Sequence, residues 1–258
     1  MSVLPKASTA LCTYTNEAIF LRDKSLVDDL IGKVDFTEGM YFLIFGRMPT
    51  KAQRRILDAV LVTLMEHGMT PSAIAARMVY GSGPEALQAG VAAGLLAVAS
   101  QFVGTMELAA KLLREIVADE GGMEAAARRI AEAHRREKRP MPGFGHHLHK
   151  PDDPRTPKLL ALAEAEGVEG RHIRALRALA AEVDRASGRH ITINATGAIA
   201  AVLSEIGVEP AIMRGFALIS RAAGLVAHIR EEQQNPAMRT IWDAAEDAVP
   251  YSGTEGAR

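Results

Sequence analysis

The chain has one cysteine, one tryptophan and 5% aromatic residues in 258, and its charges nearly cancel, Lys+Arg 30 against Asp+Glu 31. Each scarcity excludes something. A single cysteine, Cys12, cannot close an intrachain disulfide, and with no partner motif beside it a small semi-buried side chain is expected rather than a nucleophile. A formal net charge of -1 argues against a general nucleic-acid or anionic-membrane binder, which needs a surplus of cations over a whole face. The most apolar run, Val91 to Ala99, is too short for a bilayer, which takes about 20 residues. The opening MSVLPKASTA lacks the apolar core of a signal peptide, so a reducing cytoplasm is the expected location. What remains, 48% hydrophobic and 24% charged, describes a globular protein of one or two domains.

Little aromatic and β-branched material is left for strands, and the apolar spacing reads as helix nearly everywhere, so an all-α protein is expected. From Lys51 to Glu66, residues Ile56, Leu57, Val60, Leu61, Leu64 and Met65 share one helix face. The pattern returns in Ile173, Leu176, Leu179 and Val183, in Ile199, Val202, Leu203 and Ile206, and in Ile212, Phe216, Ile219, Ala223, Val226 and Ile229. Dense alanine and glycine between Ala89 and Ala99 predict a helix approached closely by its neighbours. Gly81-Ser82-Gly83-Pro84 predicts a helix end, with the proline in the first turn of the next helix. Pro140 to Gly145 carries two prolines and two glycines and cannot be helical, and Asp152 to Pro157 predicts a further turn.

One window concentrates groups able to do chemistry. Gly143-Phe144-Gly145-His146-His147-Leu148-His149-Lys150-Pro151-Asp152-Asp153-Pro154-Arg155 puts imidazoles, cations and glycine-flanked amides into a short loop, which suits a carboxylate or phosphate ligand. His146, His147 and His149 could instead ligate a metal, although no Cys or spaced Glu completes a known pattern, so no metal is expected. They could also simply solvate a loop. Arg221 and Arg239 are ambiguous by themselves, since most arginines lie on solvated faces.

The string GFGHHLHKPDDPR resembles the GFGHxxYKxxDPR loop of citrate synthases, and further segments fall in the same order along nearly the whole chain. Phe45-Gly46-Arg47-Met48-Pro49-Thr50 resembles an early G-R-x-P-T turn, and Glu66-His67-Gly68 an A-D-H-G element. Asn194-Ala195-Thr196-Gly197 takes the place of N-V-D-G, and Arg221 to His228 and Asn235 to Arg239 resemble the closing arginine segments. Gln101-Phe102-Val103-Gly104 and Arg239-Thr240-Ile241-Trp242-Asp243 are similar to the citryl-CoA lyase branch, including the lyase module of ATP-citrate lyase. The resemblance implies an all-helical citrate-synthase-like fold: a large domain from residues 1–107 and 197–258, and a small inserted one over 108–196. It implies that Arg155 and Arg221 bind carboxylates, that Arg239 reaches into a neighbour's site in a homodimer, and that His67 and His146 hydrogen-bond the substrate. Met141, Gly143 and Gly145 would meet coenzyme A, with Lys150 near its phosphates. The substrate would be a CoA thioester, with no prosthetic group.

Two departures bear on chemistry. Phe102 stands where synthases hold the thioester oxygen with histidine, in the substrate-binding wall, and Thr196 stands where they place a catalytic aspartate. A threonine hydroxyl is no base at neutral pH, so ordinary synthase activity is not expected. Either His147, His149 or His190 takes the base role, or the substrate needs no such base, or the chain binds a polycarboxylate and coenzyme A without turnover. Thr196 as a plain helix N-cap is the structural alternative.

Overall fold

A computed structural model describes residues 7–99 and 103–253. Among these the fold is helical apart from one small sheet. Strands β1 (Cys12–Tyr14), β2 (Ile19–Leu21) and β3 (Lys24–Ser25) form an antiparallel meander, with Cys12 opposite Leu21 and Leu21 opposite Lys24. The sheet departs from the all-helical expectation at its edge only. Cys12 is exposed on it rather than semi-buried, because β1 is an outer strand with no layer covering it.

A π-helical turn at Leu26–Leu30 leads into α1 (Phe36–Phe45), which opens on a capping box of Asp35 and Glu38. Helix α2 (Lys51–Leu64) starts on a second box, Thr50 with Gln53, and buries Ile56, Leu57, Val60, Leu61 and Leu64 as the spacing predicts. Met65 falls outside the buried set, because the helix ends one residue before it. Helix α3 (Pro71–Ser82) is followed by α4 (Leu87–Leu96). Pro84 therefore lies in the turn before α4 and not in its first turn; Ala86 has φ -117 and ψ 67, which is not helical. The small-residue face of α4 is confirmed, since a Cβ at Gly94 would press on Leu225 and the Ser72 carbonyl.

Of helices α5 (Thr105–Ala118), α6 (Met123–Arg136), α7 (Arg155–Ala165) and α8 (Arg171–Ser187), α5, α7 and α8 pack around α9 (Ala195–Glu205), in which nine of eleven residues are buried, and α6 packs mainly on α8 and α5. Helix α7 begins inside the stretch read as a turn, with Pro154 at its N-cap and Pro157 in its first turn, where no proline N–H is needed. One continuous apolar core runs from Met40 to Ala217.

Helix α10 (Pro210–Gln234) is long and apolar enough by length and composition to cross a membrane. It packs against α2, α3, α4, α5 and α9 and buries Arg221, His228 and Glu232, the behaviour of a central core helix. Its buried stripe is offset from the apolar one read in the sequence: Ile212 and Val226 are exposed, whereas Met213, Ala217 and Leu225 are buried. Helix α11 (Met238–Ala248) buries none of its residues and rests on α3.

Candidate active site

A cleft of about 910 Å3 opens between the end of α2, the start of α9, the loop before α7 and one face of α10. His67, His146, His147, Arg155, Thr196 and Arg221 all line it. Backbone contacts that only glycine permits fix its walls. Gly143 has φ +84, and its Cα packs on Gly197 in the first turn of α9; a methyl on Gly197 would collide with the Gly143 carbonyl. At Gly224 of α10 a methyl would strike the Met65 carbonyl, so the turn carrying His67 lies directly on that helix.

Asn194 joins the two inner walls. Its Oδ1 caps α9 by accepting the Gly197 N–H at 3.2 Å, and its Nδ2 donates to the Gly145 carbonyl at 2.9 Å. The cap is thus Asn194 and not Thr196, because the helix begins one residue before the threonine. Thr196 Oγ1 donates to Asn194 Oδ1 at 2.7 Å and lies 3.0 Å from Thr105 Oγ1. These two partners are a hydroxyl and an amide, neither carboxylate nor imidazole.

Opposite lies a cluster of histidines. The His146 ring centroid is 4.4 Å from His149, 4.8 Å from His147 and 5.7 Å from His67. His146 Nδ1 accepts the backbone N–H groups of Leu148 at 3.1 Å and His149 at 3.0 Å. An accepting Nδ1 places the proton on Nε2 and requires a neutral ring, so His146 offers an N–H. Burial lowers its pKa, with His149, His147 and Arg155 adding to the effect and Asp153 opposing it. Burial lowers that of His67 too, helped by Arg155, His149 and Arg221. Ligand atoms of His67, His146 and His149 lie within 4.8 Å of one another, which could hold a metal ion. The hydrogen bonding favours another use. On His146 one nitrogen already takes two amides and the other carries the proton, and cationic Arg155 and Arg221 stand close by.

The arginines are held by groups the sequence reading had not singled out. Asp153, fully buried, accepts Arg155 Nε at 2.9 Å and Nη2 at 2.7 Å, and also the N–H of Ala195 at 3.0 Å. Burial pushes the Asp153 carboxyl up, but Arg155 and the Ala195 amide outweigh it and hold it below its ordinary range. Arg155 Nη1 has no hydrogen-bond partner among the described residues and is left for the cleft. Arg221 is 9% exposed, and its Nη1 is buried with no hydrogen-bond partner among the described residues; Glu66 Oε1 stands 4.0 Å away, too far to accept. His67 Nε2 is buried and unpartnered in the same sense.

Other expected site residues lie elsewhere. Gly145 lines the cleft, whereas Gly143 is buried against Gly197 and Met141 packs on the core. Lys150 is outside the lining. Arg239 is exposed on α11, paired with Asp243 at 2.9 Å and stacked over Trp242 at 4.9 Å, away from the cleft of its own chain. His190 is locked on the surface between Asp184 and Asp152, at 2.7 and 3.0 Å. Phe102 lies outside the described residues.

Residues 52–241 match the family model described as citrate synthase, C-terminal domain. The chain belongs to the citrate synthase family. In structure it is similar to citryl-CoA lyase from Hydrogenobacter thermophilus, with TM-score 0.87 and 33% identity, covering 98% of this chain and 97% of that one. ATP citrate lyase from Methanothrix soehngenii, solved with citrate and coenzyme A, shares the fold at TM-score 0.77 and 18% identity, over 99% of this chain and 43% of that one. In sequence, a protein described as putative citrate synthase 2 of Mycobacterium bovis is 29% identical over 181 residues, 69% of this chain and 47% of that protein. The chain spans about half the length of such sequence relatives.

Proposed function

We propose that this cleft breaks, or in reverse forms, the carbon–carbon bond of a citryl-CoA-type thioester, giving acetyl-CoA and oxaloacetate or close analogues. The observation that carries the reading is the pair of buried nitrogens without a hydrogen-bond partner among the described residues, Arg221 Nη1 and His67 Nε2, on side chains that line one cleft together with His146. Arg221 Nη1 is a donor, and a buried donor without an acceptor costs about 1–3 kcal/mol, which a bound anion removes; with its proton on Nε2, His67 donates to the same ligand. A substrate with two free carboxylates and a tertiary hydroxyl supplies acceptors for all three groups.

In cleavage the carbon–carbon electron pair becomes the thioester enolate, the hydroxyl proton leaves, and the enolate carbon takes a proton. In condensation the charge develops on the ketone oxygen, where the His146 Nε2–H stabilises it. Thr196 cannot exchange these protons at neutral pH, and the imidazoles of His67 and His149 beside His146 are the groups to do so. Coenzyme A runs along the Gly145 edge, with Met141 and Gly143 supporting that loop from beneath and Lys150 beyond it. Residues 108–196 act as the smaller unit that closes on the ligand, and Arg239 completes the site of a second copy in a homodimer.

The test is incubation of the pure protein with citryl-CoA, with chromatography for acetyl-CoA. Turnover removed by His146→Ala supports the reading, and none in the wild type contradicts it. A second reading, tight binding of citrate and coenzyme A without chemistry, is favoured by the hydroxyl and amide partners of Thr196; binding without turnover would select it.

A further inference from the structure

Behind the cleft wall lies a chain of buried polar groups that the chemistry above does not use. Arg77 of α3 is 3% exposed. Its Nε donates to His228 Nδ1 at 3.0 Å, its Nη1 to Glu232 at 2.9 Å, and its Nη2 pairs with Glu231. Glu232 in turn accepts the N–H groups of Ala237 and Met238, both at 2.8 Å, where α11 begins. Arginine can only donate, so His228 Nδ1 is the acceptor and the proton is on Nε2. That Nε2 lies 2.9 Å from Glu66 Oε2, close enough for an electrostatic contact although the N–H is not aimed for a hydrogen bond, and it has no hydrogen-bond partner among the described residues. The second oxygen of Glu66 accepts the backbone N–H of His67 at 2.7 Å. Glu66 is thus held on Oε1 by the His67 amide and on Oε2 by the charge contact with His228, and its Oε1 stops 4.0 Å short of Arg221 Nη1.

The gap matters because Glu66 is half exposed and able to swing, while Arg221 is a buried cation whose Nη1 has no hydrogen-bond acceptor among the described residues. A carboxylate moving about 1 Å nearer would close a charge-assisted pair on the nitrogen meant for the ligand.

We propose that His228 is a positioning residue: oriented by Arg77, it restrains Glu66 so that Arg221 stays open to a substrate carboxylate. This rests on the reading of the cleft as a citryl-CoA-type site. Without the restraint, Glu66 becomes an internal competitor for the anion.

His228→Asn tests it, because the Asn oxygen can replace Nδ1 as acceptor for Arg77 while nothing replaces the Nε2–H toward Glu66. The measurement is calorimetric titration of citrate into full-length protein saturated with coenzyme A. The variant is expected to weaken citrate binding about tenfold, leaving coenzyme A binding within about threefold. Adding Glu66→Gln, which removes the competing charge and keeps an acceptor for the His67 N–H, is expected to restore citrate affinity. A merely structural role for His228 would not be rescued in this way. Unchanged affinity in His228→Asn, or a loss that Glu66→Gln does not reverse, overturns the proposal. If the wild type binds no citrate, the reading of the cleft fails instead. The restraint is then decided by nitrogen NMR of wild-type histidines: a His228 proton on Nε2 supports it, and a proton on Nδ1 refutes it in any background.

Discussion

Replacing Asp153 by asparagine is the sharpest test of how the cleft is held together. Among the described residues its carboxylate accepts hydrogen bonds from four donors: the N–H, Nε and Nη2 of Arg155 and the N–H of Ala195. An asparagine of the same shape must turn its NH2 against one of them. Removing one partner of a buried pair costs about 3–5 kcal/mol, but the Arg155 side chain is 27% exposed and the asparagine oxygen keeps one acceptor, which lowers the expectation to about 2–3 kcal/mol. Unfolding entropy of about 2.1 cal/mol/K per residue gives roughly 0.5 kcal/mol per degree for 258 residues, so the melting temperature should fall by about 4–6 °C. The carboxyl is held below its ordinary value of 3.8 in the folded chain. Its contribution is therefore complete above pH 3.8 and lost as the pH falls through the folded value. Scanning calorimetry of both proteins between pH 3 and 7 should show the full gap near neutrality and a narrowing one in acid. A variant melting within about 1 °C of wild type at pH 7 would refute the claim that Asp153 holds Arg155 and the start of α9 together.

Gly197→Ala should lower stability by about 1–3 kcal/mol and abolish citrate binding, because the methyl would push the Gly143 loop off α9; thermal melts with calorimetry check both. Arg221→Met should weaken citrate binding about 10- to 100-fold by removing a charge-assisted donor, and an unchanged isotherm would exclude Arg221 from the ligand. Because the folded pKa values of His67 and His146 lie below the ordinary 6.5, the unfolded chain takes up protons first as pH falls. Their contribution to stability is thus present above pH 6.5 and lost below it; equal denaturant midpoints at pH 7.5 and 5.5 in His67→Gln and wild type would argue for neutral coupling. Citrate with coenzyme A should also slow proteolysis between Pro140 and Arg155, and unchanged cleavage would contradict closure of that loop.

Much of this was legible in the residues themselves, and the exceptions have physical reasons. The α2 face could be read because its five buried residues follow one helical stripe. The GFG loop could be read because prolines and glycines exclude helix. Helix α10 buries Phe216 and Ile229 as its apolar pattern predicts, but the rest of its buried face departs from that pattern because it carries Arg221, His228 and Glu232. Hydrophobic periodicity does not register a polar chain whose partner, Arg77, is 151 residues from His228. Asp153 was visible only as part of a turn, although its place two residues before Arg155 was a usable signal. The small sheet escaped notice because β1 and β2 hold three residues each. Thr196 as an N-cap fails because the helix starts one residue earlier: Asn194 takes the cap and leaves the threonine in the cleft wall.

The account turns on Arg221 Nη1 and His67 Nε2 awaiting an anion. A crystal structure with citrate and coenzyme A tests this most directly. Citrate oxygens within about 3.2 Å of both nitrogens are the predicted result. Citrate bound elsewhere, with both nitrogens still unpartnered, would contradict it.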